Sequence, residues 1–171
     1  TLSISLPQSI LVLKAHELYR QGKTMDEVAA WLEENKSRSQ AFFTVDDLTY
    51  LRRGGRISAV AATVGTMLDL KPIITEGKNG KLLSTDKVRG RKQALRTLAE
   101  LAAQNIDDPA EAEMYVLHAD APEDADRLVQ LLREKIPGLG NISTRYVGPV
   151  IGAHCGPGTV AVCFFGKERP Y

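Results

Sequence analysis

Asn79-Gly80 lies between two short strand-like runs, residues 71–76 and 81–85. Both residues accept positive φ, so the pair predicts a tight hairpin joining antiparallel strands. The rest of the chain alternates helical and extended segments, the pattern of a doubly wound parallel sheet. A hairpin has no place in a strictly parallel sheet, where neighbouring strands need long crossovers. The chain is therefore expected to be α+β, an α/β-type two-layer sandwich with helices covering one sheet face.

The periodicity supplies the elements. Pro7 opens a helix whose apolar side is Ile10, Leu11, Leu13, Ala15 and Leu18, and Gly22 ends it. Thr24 with Glu27 three residues on is a capping box, so a second helix follows, with Val28, Trp31 and Leu32 on its buried side. Residues 41–45 are aromatic or β-branched enough for a strand. Asp46 or Asp47 caps a short helix that Gly54-Gly55 stops, and residues 58–68 fit another. Residues 89–104 form the clearest helix, with the stripe Ala94, Leu95, Leu98, Leu101 and Ala102. Then come a strand at 112–118, a helix at 122–135 closed by Pro137-Gly138, and strands at 141–147 and 159–165. Polar residues crowd positions 34–40, so a boundary is expected there, with a helical hairpin at 1–38 and a sheet domain at 39–171.

A chain of 171 residues with 43% apolar side chains can bury a core. A net charge of +1, with cations and anions interleaved, argues against a nucleic-acid groove, which needs many phosphate contacts on one face. Cys155 and Cys163 are far from any CxxC pattern, which fits free thiols in a reducing, cytoplasmic setting. No apolar run approaches the length of a transmembrane helix. The first residues, Thr1 to Leu6, lack a methionine and alternate polar and apolar side chains as if entered mid-strand, so the chain is expected to be a fragment.

Three segments can carry chemistry. In Leu51 to Ser58, LRRGGRIS, two glycines let backbone approach a ligand, and Arg56 stands where a guanidinium could grip a carboxylate at two points. The plainer reading makes Gly54-Gly55 a helix stop and Arg56 a surface or ion-pair residue. Lys87 to Lys92, KVRGRK, puts four cations at the positive end of a helix, either as a solvated face or as a dock for an acidic partner. Gly148 to Gly158, GPVIGAHCGPG, has four glycines and two prolines in eleven residues, which reads as a loop of fixed path. Within it His154 can donate a hydrogen bond, or carry charge beside a carboxylate. Cys155 beside it invites a small hydrolase or transferase, but adjacent side chains seldom face each other and no orienting acid is near. His16, His118 and His154 are too scattered for a metal site.

Taken together, the run from Phe43 to Ser58, the LKPII stretch from Leu70 to Ile74, the segment from Gly80 to Arg91 and GPVIGAHCGPG resemble the DegV family of bacterial fatty-acid-binding proteins. The QGKTMDEV segment is similar to a family pattern too, whereas Leu6-Pro7-Gln8 departs from its usual glycine-rich turn. The resemblance implies a DegV-like C-terminal domain, with residues 1–38 left from a first domain that is absent here. It implies a non-enzymatic lipid carrier that needs no cofactor and presents a bound long-chain fatty acid to a partner fatty acid kinase. It also implies the site residues: Arg56 and His154 near the head group or the kinase-facing surface, Ser58 among the ligand-binding residues, and Gly152, Gly156 and Gly158 shaping the loop. Ile57, Val60, Val64 and Leu68, with the strand at 71–74, would line the tail. Cys155 stands where the family often has threonine.

Overall fold

The computed structural model describes residues 1–56 and 69–171. The expected helix at 58–68 and the site residues Ile57, Ser58, Val60, Val64 and Leu68 lie outside the described residues.

The chain opens with helices α1 (Ser5–Arg20) and α2 (Met25–Asn35), and a 3-10 turn at Lys36–Arg38 leads into strand β1 (Ser39–Thr44). The capping box forms: Thr24 Oγ1 accepts from the Glu27 N–H, while Glu27 accepts from the Thr24 N–H at 2.8 Å. Short helix α3 (Thr49–Arg53) follows, its entry fixed by Asp47 accepting from the Thr49 N–H at 2.8 Å. Strands β2 (Leu70–Glu76) and β3 (Leu82–Arg89) form the expected hairpin around Gly80, at φ +75°. Next come α4 (Arg91–Asn105), β4 (Glu113–Ala119), α5 (Pro122–Lys135), β5 (Asn141–Tyr146), α6 (Pro149–Cys155) and β6 (Thr159–Phe165).

The sheet runs β3-β2-β1-β6-β4-β5. Every neighbouring pair is antiparallel except β4 and β5, which α5 joins by a crossover. Hairpin and crossover thus share one mixed sheet, as the interrupted alternation requires.

Alternation sorts the two faces. Phe42 on β1, Met114 and Val116 on β4, and Val160, Val162 and Phe164 on β6 point to one side. There they meet Ala94, Leu95, Leu98 and Ala102 of α4 and Leu128 and Leu132 of α5. At ~25 cal/mol per Å² of apolar surface, this large cluster is the main source of stability. The intervening residues face the other way. Ala41 stands opposite Cys163, and Phe43 opposite Ala161. Over them pack Ile10 of α1, Leu51 of α3 and Cys155 of α6, so helices lie on both faces rather than one. Trp31 joins from α2 by stacking on Phe165, centroids 5.8 Å apart. No helix among the described residues is long and apolar enough to cross a membrane.

Candidate functional site

The second face is unevenly filled. Its central positions carry small side chains, Ala41, Thr159, Ala161 and Cys163, whereas the opposite face of the same strands carries Phe42, Val160, Val162 and Phe164. A cavity of about 730 Å³ remains, walled by Phe43, Leu51, Leu117, Val147 and Ile151 over the floor of Ala41 and Ala161. That volume lies in the range of small-molecule sites, ~300–1,000 Å³, and the walls have their usual apolar character.

One end of the cavity lies where β6 begins. The segment expected as an irregular loop is in fact mostly helix α6. Gly148 is extended and Pro149 occupies the first turn, where its fixed φ suits a helix and its missing N–H costs nothing. Gly156 ends the helix at φ +80° and donates to Gly152 O at 2.7 Å. A side chain there would collide with Tyr50, since a Cβ would stand 2.3 Å from its ring. His154 therefore sits in the last turn of a helix whose exit is fixed from below by α3.

The same packing brings two separate sequence motifs together. An added Cβ on Gly54 would lie 2.2 Å from Nδ1 of His154, so the imidazole rests against the bare backbone of the GGR turn. Arg56 emerges from that turn, its Nη1 donating to Gly54 O at 2.7 Å, and both Arg56 and His154 line the cavity. Exposed Arg52 and Arg53 precede them, so this end is cationic. Gly152 lies within α6, and Gly158 packs its backbone against Asp46; neither lines the cavity. The strand at 71–74 does not line it either. Ile73 points into the opposite core and Ile74 packs in the second-face core, so β2 reaches the cavity only through Glu76.

Cys155 is buried, and burial pushes its thiol up to about 11. At neutral pH it is protonated, which removes the thiolate that a Cys155/His154 hydrolase would need. The basic run divides. Lys87 and Arg89 lie on edge strand β3, whereas Arg91 is structural: its Nε pairs with Asp124 at 2.7 Å and its Nη2 donates to Gly158 O at 2.5 Å. Arg91 thus ties the start of α4 to α5 and to the turn before β6. Among the described residues no three His, Cys, Asp or Glu side chains gather closely enough to hold a metal ion.

The DegV family model matches residues 1–167. The chain belongs to the DegV family. A DegV domain-containing protein of Clostridium perfringens is 41% identical over 169 residues, 99% of this chain and 58% of that relative. The chain thus spans little more than half the length of such DegV proteins. A fatty acid binding DegV family protein from Streptococcus agalactiae superposes with a TM-score of 0.82 at 30% identity, over 95% of this chain and 56% of that one. DegV from Bacillus subtilis, a fatty acid binding protein, superposes with a TM-score of 0.75 at 34% identity, over 95% and 57%.

Sequence reasoning missed the far end of the cavity. There Glu76 pairs with Arg169 at 3.0 Å, both side chains almost wholly buried. One signal was available. Glu76 stands two residues after Ile74, so strand alternation points a carboxylate inward.

Proposed function

We propose that this chain supplies the sheet-bearing part of a fatty-acid site, with the acyl tail over the second face and the carboxylate at the Arg56–His154 end. The observation that carries this reading is one apolar cavity ending at a cationic turn. The tail supplies affinity at ~0.8 kcal/mol per buried CH₂. The carboxylate cannot enter so apolar a space unpaired, and a guanidinium beside an imidazole gives it charge-assisted hydrogen bonds. At the other polar end the Arg169 guanidinium is already taken up by Glu76 and by the Ser39, Leu2 and Gly77 carbonyls, so it offers a carboxylate no free cation, which disfavours the reverse orientation. The fatty-acid-binding relatives from Streptococcus agalactiae and Bacillus subtilis support the same ligand class.

In this reading Arg56 and His154 contact the head group, while Gly152, Gly156 and Gly158 set the backbone that carries His154. Ser58 is a further hydroxyl for the head group, and Ile57, Val60, Val64 and Leu68 are further tail contacts. The division near residues 34–40 separates the helical hairpin from the sheet domain. The bound acid is presented to a kinase that makes acyl-phosphate, and the exposed Arg52, Arg53 and Arg56 beside the carboxylate give that partner a charged surface. The deciding experiment extracts native intact protein and identifies bound lipid by mass spectrometry. A long-chain fatty acid is expected, and protein that carries none and binds no labelled fatty acid refutes the reading. His154→Ala is expected to lower acyl-phosphate output with kinase and ATP present. Unchanged output removes His154 from the site.

A further inference from the structure

The cavity has a second polar end, built differently from the first. By strand register Glu76 stands level with Ala41 and Cys163, and Cys163 is four residue steps from Thr159 along β6, roughly 13 Å at ~3.3 Å per step. Across that span from His154, the cavity meets Ile4, Ser5, Pro7, Glu76 and Gly80. Glu76 and Arg169 are each only 3% exposed. Burial pushes the Glu76 carboxyl up, while the Ile4 N–H and the Arg169 guanidinium pull it back.

The pair is also the anchor of a strap. Arg169 Nη1 donates to Leu2 O at 2.9 Å and Gly77 O at 3.1 Å, and Nη2 also reaches Ser3 Oγ. Nε and Nη2 donate to Ser39 O at 3.0 and 2.9 Å. Glu76 Oε1 accepts from the Ile4 N–H at 3.0 Å. Leu2 lies against the hairpin turn, where a Cβ on Gly80 would meet its backbone at 3.3 Å. One ion pair therefore pins Leu2, Ser3 and Ile4 between the start of β1 and the β2–β3 turn. A surface strap would not need a buried charge pair, which is costly to desolvate and is kept in place by saturated hydrogen bonding.

We propose that the Glu76–Arg169 pair, with the strap it holds, is the distal stop of the ligand cavity and sets the longest acyl tail the protein accepts. The inference rests on the fatty-acid reading above. A methyl terminus that reaches Glu76 finds a hydrogen-bonded carboxylate rather than apolar wall. Further methylenes must then either displace the strap or stay in water. Below that length each added methylene tightens binding about fourfold, the equivalent of ~0.8 kcal/mol. Beyond it the gain stops.

The test measures dissociation constants of the intact protein for a homologous series of saturated fatty acids. The wild type is expected to tighten steadily with length and then to level off or weaken at a defined length. Glu76→Ala removes the carboxylate and opens the end, so the break moves to longer tails. Glu76→Gln keeps the volume and leaves the break where it is. Because Glu76→Ala strands the buried guanidinium, Ile4→Ala gives a second route: it trims the half-exposed strap residue without touching the pair, and it also moves the break to longer tails. A break unmoved in both Ala variants, with fatty acid still bound, overturns the stop alone. A wild type that binds no fatty acid of any length overturns the parent reading, and the stop with it.

Discussion

If His154 holds the head group as proposed, Gly54→Ala should separate ligand binding from folding. The new Cβ would stand 2.2 Å from Nδ1 of His154, and ordinary contact begins near 3.4 Å, so the ring must withdraw by 3.4 − 2.2 = 1.2 Å or more. Gly54 has φ −77°, an ordinary helical value, so alanine strains no backbone there. His154 is half-buried in the last turn of α6 and can swing outward. The stability cost should therefore stay below about 1 kcal/mol, the usual range for a tolerated surface change. Binding should suffer more. A hydrogen bond to a charged group is worth ~1.5–3 kcal/mol, so losing the His154 contact weakens fatty-acid affinity roughly 10- to 150-fold. The assay is a double-mutant cycle with His154→Ala, reading the dissociation constant for one fatty acid beside the thermal midpoint. In the His154→Ala background Gly54→Ala should cost almost nothing further. An equal loss in both backgrounds, or unchanged affinity in the single variant, refutes the claim that Gly54 acts by seating His154.

Three other perturbations have definite expected outcomes. Gly156→Ala meets both a φ of +80° with ψ 170° and the Tyr50 ring. Strain of ~1–3 kcal/mol and a similar overpacking cost should lower the melting midpoint by roughly 5–20 °C, and a shift under ~2 °C contradicts the geometry. Thr24→Ala removes the cap that accepts from the Glu27 N–H, at a cost of about 1 kcal/mol; an unchanged denaturant midpoint counts against it. Cys155 makes stability fall in alkali. Its folded pKa of about 11 exceeds the ordinary 9.0, so the folded state holds the proton more tightly. Its contribution is fully present below pH 9 and is lost as pH rises to 11, about 3 kcal/mol for two units. Denaturant midpoints across that range should fall less steeply for Cys155→Ser, and identical slopes rule the effect out.

Legibility in the sequence followed the range of the forces involved. The Thr24–Glu27 box, the Asn79-Gly80 hairpin and the α5 span depend on neighbours within a few residues, and each can be read directly. The 148–158 segment misled because glycine and proline count looks the same whether residues bracket a helix or fill a loop. Pro149 at the start and Gly156 at the end are helix punctuation, and only Gly152 is interior. The Glu76–Arg169 pair joins residues 93 apart, and Arg169 also holds Leu2 and Ser3. No local pattern marks such a partner. The convergence of Gly54 on His154 is equally nonlocal, although the resemblance implied that Arg56 and His154 share a site.

Cavity formation is itself a matter of side-chain size rather than hydrophobicity. Along β6 the sequence TVAVCFF is apolar almost throughout, and a polarity pattern alone would make both faces equally good core. Size breaks the tie. Val160, Val162 and Phe164 fill the face beneath α4 and α5, while Thr159, Ala161 and Cys163 leave the other face shallow. Native interiors do not tolerate large voids at random, because lost contacts cost about as much as lost transfer energy. On the fatty-acid proposal, the small residues Ala41 on β1 and Ala161 and Cys163 on β6, of which Ala41 and Cys163 stand opposite one another, are space kept for a ligand. If so, filling it should cost binding and not folding. Ala161→Leu would project into the empty volume rather than into packed atoms, adding apolar contact while excluding the tail. It should leave the melting midpoint unchanged or raised and abolish fatty-acid binding; a destabilised protein that still binds would show the floor to be ordinary core.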